Sequence, residues 1–530
     1  GVKKLVETTL GWANLKEKDN FDKKIAVILY NYPPGKAEIG ASYLDVFQSV
    51  HDLLIQLSRA GYNIGMSEEE IPNSTTLYTL LSMFGNKGSW AQGLLDSYVE
   101  GKWDKLVKDP NDLAIIESYL KYFDLNKNNQ LVDLLQYIKF YKSLNKTLQD
   151  QLIKKWGSGI GNIMVYNDSY IVIPGMMCGN IFITFQPSRG WEEVENYHDL
   201  TLPPHQQYIT FYCWLKEVFK ADAMIHMGTH GTLEFLPGRS IGLQGDDWTF
   251  ELSGIPNIYP YIVSNPGEAL VAKERSMALV ISHMTPAMVV SELYDDLVKL
   301  NSYMALYNEH MNKGEISLAE SYKNLILNLS KELYFDGPTK NQSFDKWLDE
   351  LHHYLEDLDN DIITFGLHSL GYVLTGDEMV QEVITIVSSK THIYNYIKNM
   401  LYPEYKDIDY NDMKYDQKYH NVTNKTQEWL INFIEQLLMG NITNMTEFFN
   451  ELGIIDETFM SNLDYCNQTI RNIQDNMEWE SILKALSGEY VLPGLAVDPA
   501  YGESLPTGRN IYTTDTTKMP SQAAWGAGKK

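Results

Sequence analysis

Between positions 226 and 239 the chain reads His-Met-Gly-Thr-His-Gly-Thr-Leu-Glu-Phe-Leu-Pro-Gly-Arg, with His226, His230 and Glu234 following one another at intervals of four. Two imidazoles and a carboxylate are a common ligand set for a borderline divalent metal ion, and the same groups accept protons near neutral pH. A helix starting at Thr229 would project His230 and Glu234 from one face. Gly228 and Gly231 place His226 on a turn, where backbone can approach a ligand closely. The H-x3-H spacing is shared with zinc peptidases, but their general-base Glu directly follows the first histidine, where this chain has Met227. A stand-alone zinc hydrolase is therefore disfavoured. A bare histidine pair is more often structural. The glycines, Glu234 and Pro237-Gly238-Arg239 weigh towards a turn that handles a metal ion.

Four other segments carry polar groups at points of chain reversal. Gly179-Asn180 leads a strand into Gln186-Pro187-Ser188-Arg189-Gly190. Asn265-Pro266-Gly267-Glu268 opens a helix whose free N–H groups suit an anion, or is an ordinary proline-initiated cap. His283 follows a strand-like run in Ser282-His283-Met284-Thr285-Pro286, and Leu505-Pro506-Thr507-Gly508-Arg509-Asn510 lies near the end. Five of the 12 histidines fall between His198 and His283, a concentration that favours a site there. Only six of the 43 basic residues are arginines, and Arg189, Arg239, Arg275 and Arg509 lie in these segments, which suggests planar contacts with carboxylates. His352-His353 belong to an amphipathic pattern and read as surface residues. No Gly-Lys pair is followed by Ser or Thr, so there is no Walker loop, and Gly157-Ser-Gly-Ile-Gly161 follows a helix rather than a strand.

The elements that must position these residues alternate in type. Ile25–Tyr30 is a buried-strand run, and Leu44 to Arg59 follows with helical periodicity. Strands are expected at 170–173, 181–185, 222–226 and 258–263, with helices at 205–219 and from Pro266 to about Leu279. The fold class is α/β, with parallel layers in the first half. From Pro286 to about Ala485 the pattern is helical. Ser317-Leu-Ala-Glu320 reads as a capping box before the stripe Leu318, Tyr322, Leu325, Ile326, Leu329, Leu333. The expected divisions are an α/β unit over 1–75, a mainly helical segment over 76–156, an α/β core over 157–290 and a helical domain over 291–485. An extended Gly/Pro-rich segment over 486–530 returns to the core.

A chain of 530 residues with 44% hydrophobic and 21% charged residues is ordinary for a multidomain globular protein. A net charge of −26 argues against a nucleic-acid partner. The apolar runs are strand-length, so no membrane span is expected. Three separated cysteines and the lack of a leader fit a reducing cytoplasm.

Taken in order, HMGTHGTLEFLPGR, the Gln186-Pro-x-Arg-Gly turn, Tyr259-Pro-Tyr-Ile with Asn265-Pro-Gly-Glu, His283-x-Thr-Pro286 and Leu505-Pro-Thr-Gly-Arg-Asn resemble the large subunit of aerobic-type cobaltochelatase. That family is homologous to the porphyrin-binding subunit of magnesium chelatase. The resemblance covers 22–65 and 157–290 well and 488–525 clearly. Between 300 and 480 it is scattered, as at Gly366-Leu-His368 with Gly371. Leu236-Pro-Gly-Arg239 and Asn265-Pro-Gly-Glu268 look like the cobalt branch, while Phe235 and Thr516 stand where Trp and Pro are usual. Family chains extend further at both ends, so a piece of a longer protein is expected.

The resemblance implies a tetrapyrrole-binding catalytic subunit, inserting Co2+ into a corrin-type macrocycle in cobalamin biosynthesis. ATP and Mg2+ would be used by two AAA+-type partner subunits. Insertion strips water from the ion, removes two pyrrole protons and deforms the ring. By resemblance His226, His230 and Glu234 take metal ligation and proton removal. Gln186, Arg189, Arg239, Glu268, Lys273, Arg275, His283 and Arg509 bind the macrocycle. The metal would be a passing substrate, not a resident ion. A magnesium or nickel chelatase, or a non-catalytic tetrapyrrole- or metal-binding module, remains open.

Overall fold

The computed structural model describes residues 2–30, 41–84, 92–189, 199–228, 231–290, 296–333, 335, 337–340, 342–360, 362–414, 417–440, 457–498, 500, 502–513, 525 and 528–529. These divide into two compact units. One comprises Gly1–Pro286, Leu367–Thr375 and Ile386–Lys530, the other Ala287–Gly366 and Gly376–Thr385.

The larger unit is built on a sheet of eight strands: Ile25–Leu29 (β1), Met176–Cys178 (β2), Ile181–Phe185 (β3), Ala223–Met227 (β4), Asn257–Ile262 (β5), Leu279–His283 (β6), Pro493–Leu495 (β7) and Asn510–Tyr512 (β8). Their spatial order is β7-β8-β6-β5-β4-β1-β3-β2. From β3 to β6 the neighbours are parallel, which explains their unbroken apolar runs: both faces are covered. At the edges β2 is antiparallel to β3 and β8 antiparallel to β6. The extended segment near the end of the chain thus returns to the sheet as β7 and β8.

Four helices bear on the site: Val46–Arg59 (α1), Gln206–Trp214 (α2), Pro266–Ser276 (α3) and Glu478–Leu486 (α4). Strand alternation divides the core. Ile25, Val27, Leu29 and Ile225 pack with Leu53, Leu54 and Leu57 of α1 and with Ile482 of α4. Ala26, Ile28 and Met224 pack on the opposite face with Tyr208, Phe211 and Tyr212 of α2. Each fully buried Leu or Ile contributes ~1.5–3 kcal/mol. Asp45 caps α1 by accepting from Gln48 N at 2.9 Å. The chain lays β3 on one side of β1 and β4 on the other. Outside the carboxyl ends of β1 and β4 is therefore the switch-point crevice where open α/β sheets take ligands.

Several elements depart from their expected bounds. The α-helix expected over 205–219 gives way after Trp214 to a π-helical turn, Leu215–Phe219, closed by Lys220 in the left-handed region. α3 stops at Ser276 because Met277 takes φ +55°. A strand, Leu131–Asp133, interrupts the helices of 76–156 and joins Val165–Tyr166 and Tyr170–Val172 in a small antiparallel sheet.

In the smaller unit, helices Asp296–Asn312, Ile316–Glu332 and Phe344–Asn360 enclose Leu300, Met304, Ile326 and Trp347, and Met288–Val290 pairs antiparallel with Ile362–Thr364. Ser317 sits inside the first helical turn, and the N-cap residue Glu315 makes no side-chain cap bond. The helix buries Ala319 and Ile326 while Leu318 and Leu325 face outward, so the apolar stripe is rotated from the expected one. His352 and His353 are exposed. Among the described residues no helix is long and apolar enough to cross a membrane.

Candidate functional site

His226 lies within β4, opposite Ile28 of β1, one residue before the strand ends. The sequence placed it on the turn, but the parallel register draws it into the sheet. It points towards α2 and is buried. Its Nδ1 is 2.8 Å from Asn257 Oδ1, and the Asn257 amide group donates to Ser276 Oγ at 3.2 Å. With that amide oxygen facing the ring, Nδ1 carries the proton and Nε2 accepts from the Tyr212 hydroxyl at 3.2 Å. Burial pulls the imidazole down to about 4, and it pushes the Tyr212 phenol well above its ordinary value. His226 is therefore a neutral ring with both nitrogens engaged. It offers no lone pair to a metal in this arrangement.

Tyr212 links this ring to the turn. Gln186, at the end of β3, donates from its amide nitrogen to the Tyr212 oxygen at 2.6 Å. Gln186 Oε1 accepts from Thr232 N at 2.8 Å and from Thr232 Oγ1 at 3.0 Å. The Thr232 hydroxyl also meets Tyr208 at 2.9 Å. A buried polar chain thus runs from β5 through His226, Tyr212 and Gln186 to the 231–236 turn, and its members are satisfied by one another.

Residues 231–238 form successive tight turns rather than the expected helix, with Phe235 N bonded to Thr232 O at 3.2 Å. Gly228 has φ +91°, and a Cβ there would lie 2.6 Å from Ala41 Cβ, so the chain leaves β4 where only glycine fits. Glu234 is 1% exposed, and its Oε1 accepts from the Tyr259 hydroxyl at 3.2 Å. Tyr259 in turn packs against the His226 ring, with centroids 5.2 Å apart. Arg275 fixes the turn from below, donating to Glu234 O at 2.6 Å and Leu236 O at 2.7 Å. His230 lies outside the described residues, as does Gly190.

The arginines grouped by the sequence as carboxylate clamps hold the chain itself. Arg189 donates to the carbonyls of Asp199 (2.8 Å) and Leu202 (2.9 Å). Arg239 bridges Asp246 (2.8 Å) and Asp247 (2.7 Å), closing the 239–247 loop. Lys273 donates to Asn510 Oδ1 at 2.6 Å and sits 3.5 Å from the Tyr512 ring centre, and burial lowers it to about 8. Glu268 accepts from Tyr261 (3.1 Å) and from the Asn265 amide (3.3 Å), placing a carboxylate in the first turn of α3. Arg509, half-buried, anchors β8 through its amide to Ser282 Oγ at 3.1 Å.

His283 is not part of this group. The pairs Ile225↔Ile258 and Ile258↔Leu279 put Leu279 on the α1 face, and His283 shares that face, opposite to His226. There its ring lies beside His368, with centroids 5.6 Å apart and planes 9° apart. Burial pulls His283 down to about 4. His368 Nε2 donates to Glu478 Oε2 at 2.9 Å.

A family model described as CobN/Magnesium Chelatase matches residues 1–530. The chain belongs to the CobN/magnesium chelatase family. An uncharacterized protein of Methanocaldococcus jannaschii is 33% identical over 100% of this chain and 41% of its own length. The aerobic cobaltochelatase subunit CobN of Pseudomonas aeruginosa is 27% identical over 99% of this chain and 41% of its own. A magnesium-chelatase subunit of Chlorobaculum parvum is 27% identical over 98% and 40%. A solved structure, the catalytic subunit of cobaltochelatase from Mycobacterium tuberculosis, superposes with a TM-score of 0.71 at 24% identity, covering 99% of this chain and 42% of that one, and shares the fold. The chain thus spans about two fifths of the relatives it matches.

As a CobN/magnesium chelatase chain it has the family fold that the ordered motifs implied. Tyr208, Tyr212 and Asn257, which connect those motifs, carry no spacing signal of their own. Asn257 was in reach: it stands two residues before Tyr259 on an alternating strand and so faces the same side. Glu478 was not, lying 110 residues beyond its partner His368.

Proposed function

We propose that this chain is the tetrapyrrole-binding catalytic part of an ATP-dependent metal chelatase that inserts Co2+ into a corrin-type macrocycle during cobalamin biosynthesis. The observation that carries the reading is Glu234: a buried carboxylate on the turn at the switch-point end of β4, inside the family motif, held by Tyr259 and by a turn that Gln186 and Arg275 brace. A carboxylate so held suits removal of pyrrole protons or delivery of the ion. His230, four residues before it, is the second proton or metal acceptor. His226 serves by holding Tyr212 and Tyr259 in place. Substrate contacts fall to Arg509 and Lys273, while Gln186, Arg189, Arg239, Glu268 and Arg275 keep the walls of the cleft rigid. Two AAA+-type subunits would supply ATP hydrolysis with Mg2+, the whole working in the cytoplasm.

The 27% identity to both a cobaltochelatase CobN and a magnesium-chelatase chain keeps magnesium as the second reading. Imidazole favours cobalt, since magnesium prefers oxygen ligands. The test uses the full-length protein with its ATPase partners and follows macrocycle absorbance with Co2+, Ni2+ or Mg2+. H230A and E234Q are each expected to slow insertion by about 10²-fold or more. Insertion at the unmodified rate in both variants would refute the assignment, and a preference for Mg2+ would move the chain to the second reading.

A further inference from the structure

The chain leaves the switch-point crevice on opposite sides of the sheet. After β4 it turns to the α2 face, where Leu233, Leu236 and Trp248 pack. After β1 it turns to the α1 face, where Ala41, Leu44 and Val46 pack. A ligand at a switch point lies between two such connections and touches both. The Glu234 turn supplies the chemistry on one side. The other side has been given no role, although its backbone is strained.

Leu44 N bonds to Ala41 O at 3.2 Å, and the two residues between them, Ser42 and Tyr43, have φ +48° and +67°. Such a turn favours Gly, Asn or Asp at both central positions. Among the described residues Tyr43 is the one aromatic residue with a positive φ. Strain of this kind persists only where the surroundings enforce it. Here they do. Tyr43 O accepts from His368 N at 2.9 Å, Asp45 N donates to His368 O at 2.7 Å, and the His368 ring is tied to the buried Glu478. Ala41 and Leu44 are buried, yet Tyr43 is 54% exposed. The enforced conformation therefore presents a large ring to solvent instead of packing it in the core. Leu367, the residue before His368, is also exposed and adds a second apolar side chain there.

The turn stands close to the chemistry. A Cβ on Gly228 would lie 2.6 Å from Ala41 Cβ, so residues 41–44 pack on the point where the chain leaves β4. Gly231 is three residues further on, no more than about 11 Å away at ~3.8 Å per residue. A Cβ on Gly231 would lie 3.6 Å from Glu234 Oε2. A broad, flat macrocycle presented to Glu234 overhangs Gly228 and meets the connection on the other side. We propose that Tyr43 is a substrate-contact residue, its ring face stacking on the macrocycle from the α1 side of the crevice with Leu367 beside it. The inference rests on the chelatase reading for the identity of the ligand.

The test measures binding alone, with the full-length protein and neither metal nor ATPase. A metal-free corrin and deuteroporphyrin IX are titrated in, and quenching of protein fluorescence gives Kd. Y43G and Y43N remove the ring and suit the backbone, so both should weaken binding about tenfold while melting no lower than the wild type. Y43F keeps the ring face and should bind as the wild type does. That pattern supports the contact. Unchanged binding by Y43G or Y43N, or a loss in Y43F as large as theirs, overturns the inference alone. So does a Y43G chain that melts below the wild type, because the ring then packs as part of the fold. If the wild type binds neither macrocycle, the chelatase reading falls and this inference with it.

Discussion

Replacing Gln186 with leucine tests whether the buried polar chain positions the Glu234 turn. Leucine is close in volume, so cavity effects are small and the change is chiefly one of hydrogen bonding. Thr232 N loses its acceptor at 2.8 Å and becomes a buried, unpaired donor, which costs ~1–3 kcal/mol. The Thr232 hydroxyl keeps Tyr208 and the Tyr212 hydroxyl keeps His226, so those two lost bonds cost only about 0.5–1.5 kcal/mol each. The sum is roughly 2–6 kcal/mol, concentrated on 231–236. At 1.4 kcal/mol per tenfold, the Thr232 amide should exchange with deuterium at least ~30-fold faster. Hydrogen-exchange mass spectrometry on peptides spanning 228–239 measures this directly, with peptides from α1 as the reference. Q186E is the informative comparison, because its carboxylate still accepts from Thr232 but takes the Tyr212 proton away from His226. It should leave Thr232 protected and make His226 easier to protonate. Wild-type exchange at Thr232 in Q186L would show that the turn is held by its own turns and by Arg275, and the positioning argument would fail.

Other outcomes follow from the same geometry. His205, His226 and His283 are each held at about 4 by burial, against an ordinary 6.5, so folding favours their neutral form. Their contribution is complete above pH 6.5 and is lost as pH falls from 6.5 towards 4, by up to ~3 kcal/mol per histidine. Guanidinium midpoints at pH 7 and pH 5 should differ accordingly, and equal midpoints would contradict the burial of these rings. A Cβ on Gly231 would lie 2.6 Å from the Tyr259 hydroxyl. G231A should therefore cost ~1–3 kcal/mol by overpacking in thermal melts, and less when the cost is measured in a Y259F background, where the hydroxyl is gone and the lost bond to Glu234 is common to both chains compared. An equal cost of G231A in the wild-type and Y259F backgrounds would place the strain elsewhere.

Much of the scaffold was readable because buried parallel strands leave long apolar runs, as in Ile25–Leu29 and Ile181–Phe185. The motif set also led to the correct family. What was not readable was direction. His226 and His283 look equivalent in sequence, each closing a strand, yet alternation sends them to opposite faces. The arginines looked like ligand clamps, but the carbonyls of Asp199, Leu202, Glu234 and Leu236 that occupy Arg189 and Arg275 have no side-chain signature. The 231–238 turn defeated helical spacing because its fold is set from outside, by Gln186 and Arg275.

The opposite facing of His226 and His283 also constrains how such a chain can change length over evolution. A single-residue insertion in β4 or β6 would rotate everything beyond it by half a turn, exchanging His226 for a neighbour or His283 for Ser282 at the same face. Drift in length is therefore barred from the strands and pushed into the segments between them. That separation lets a lineage lengthen or shorten its connecting helices freely while the two histidine clusters keep their faces.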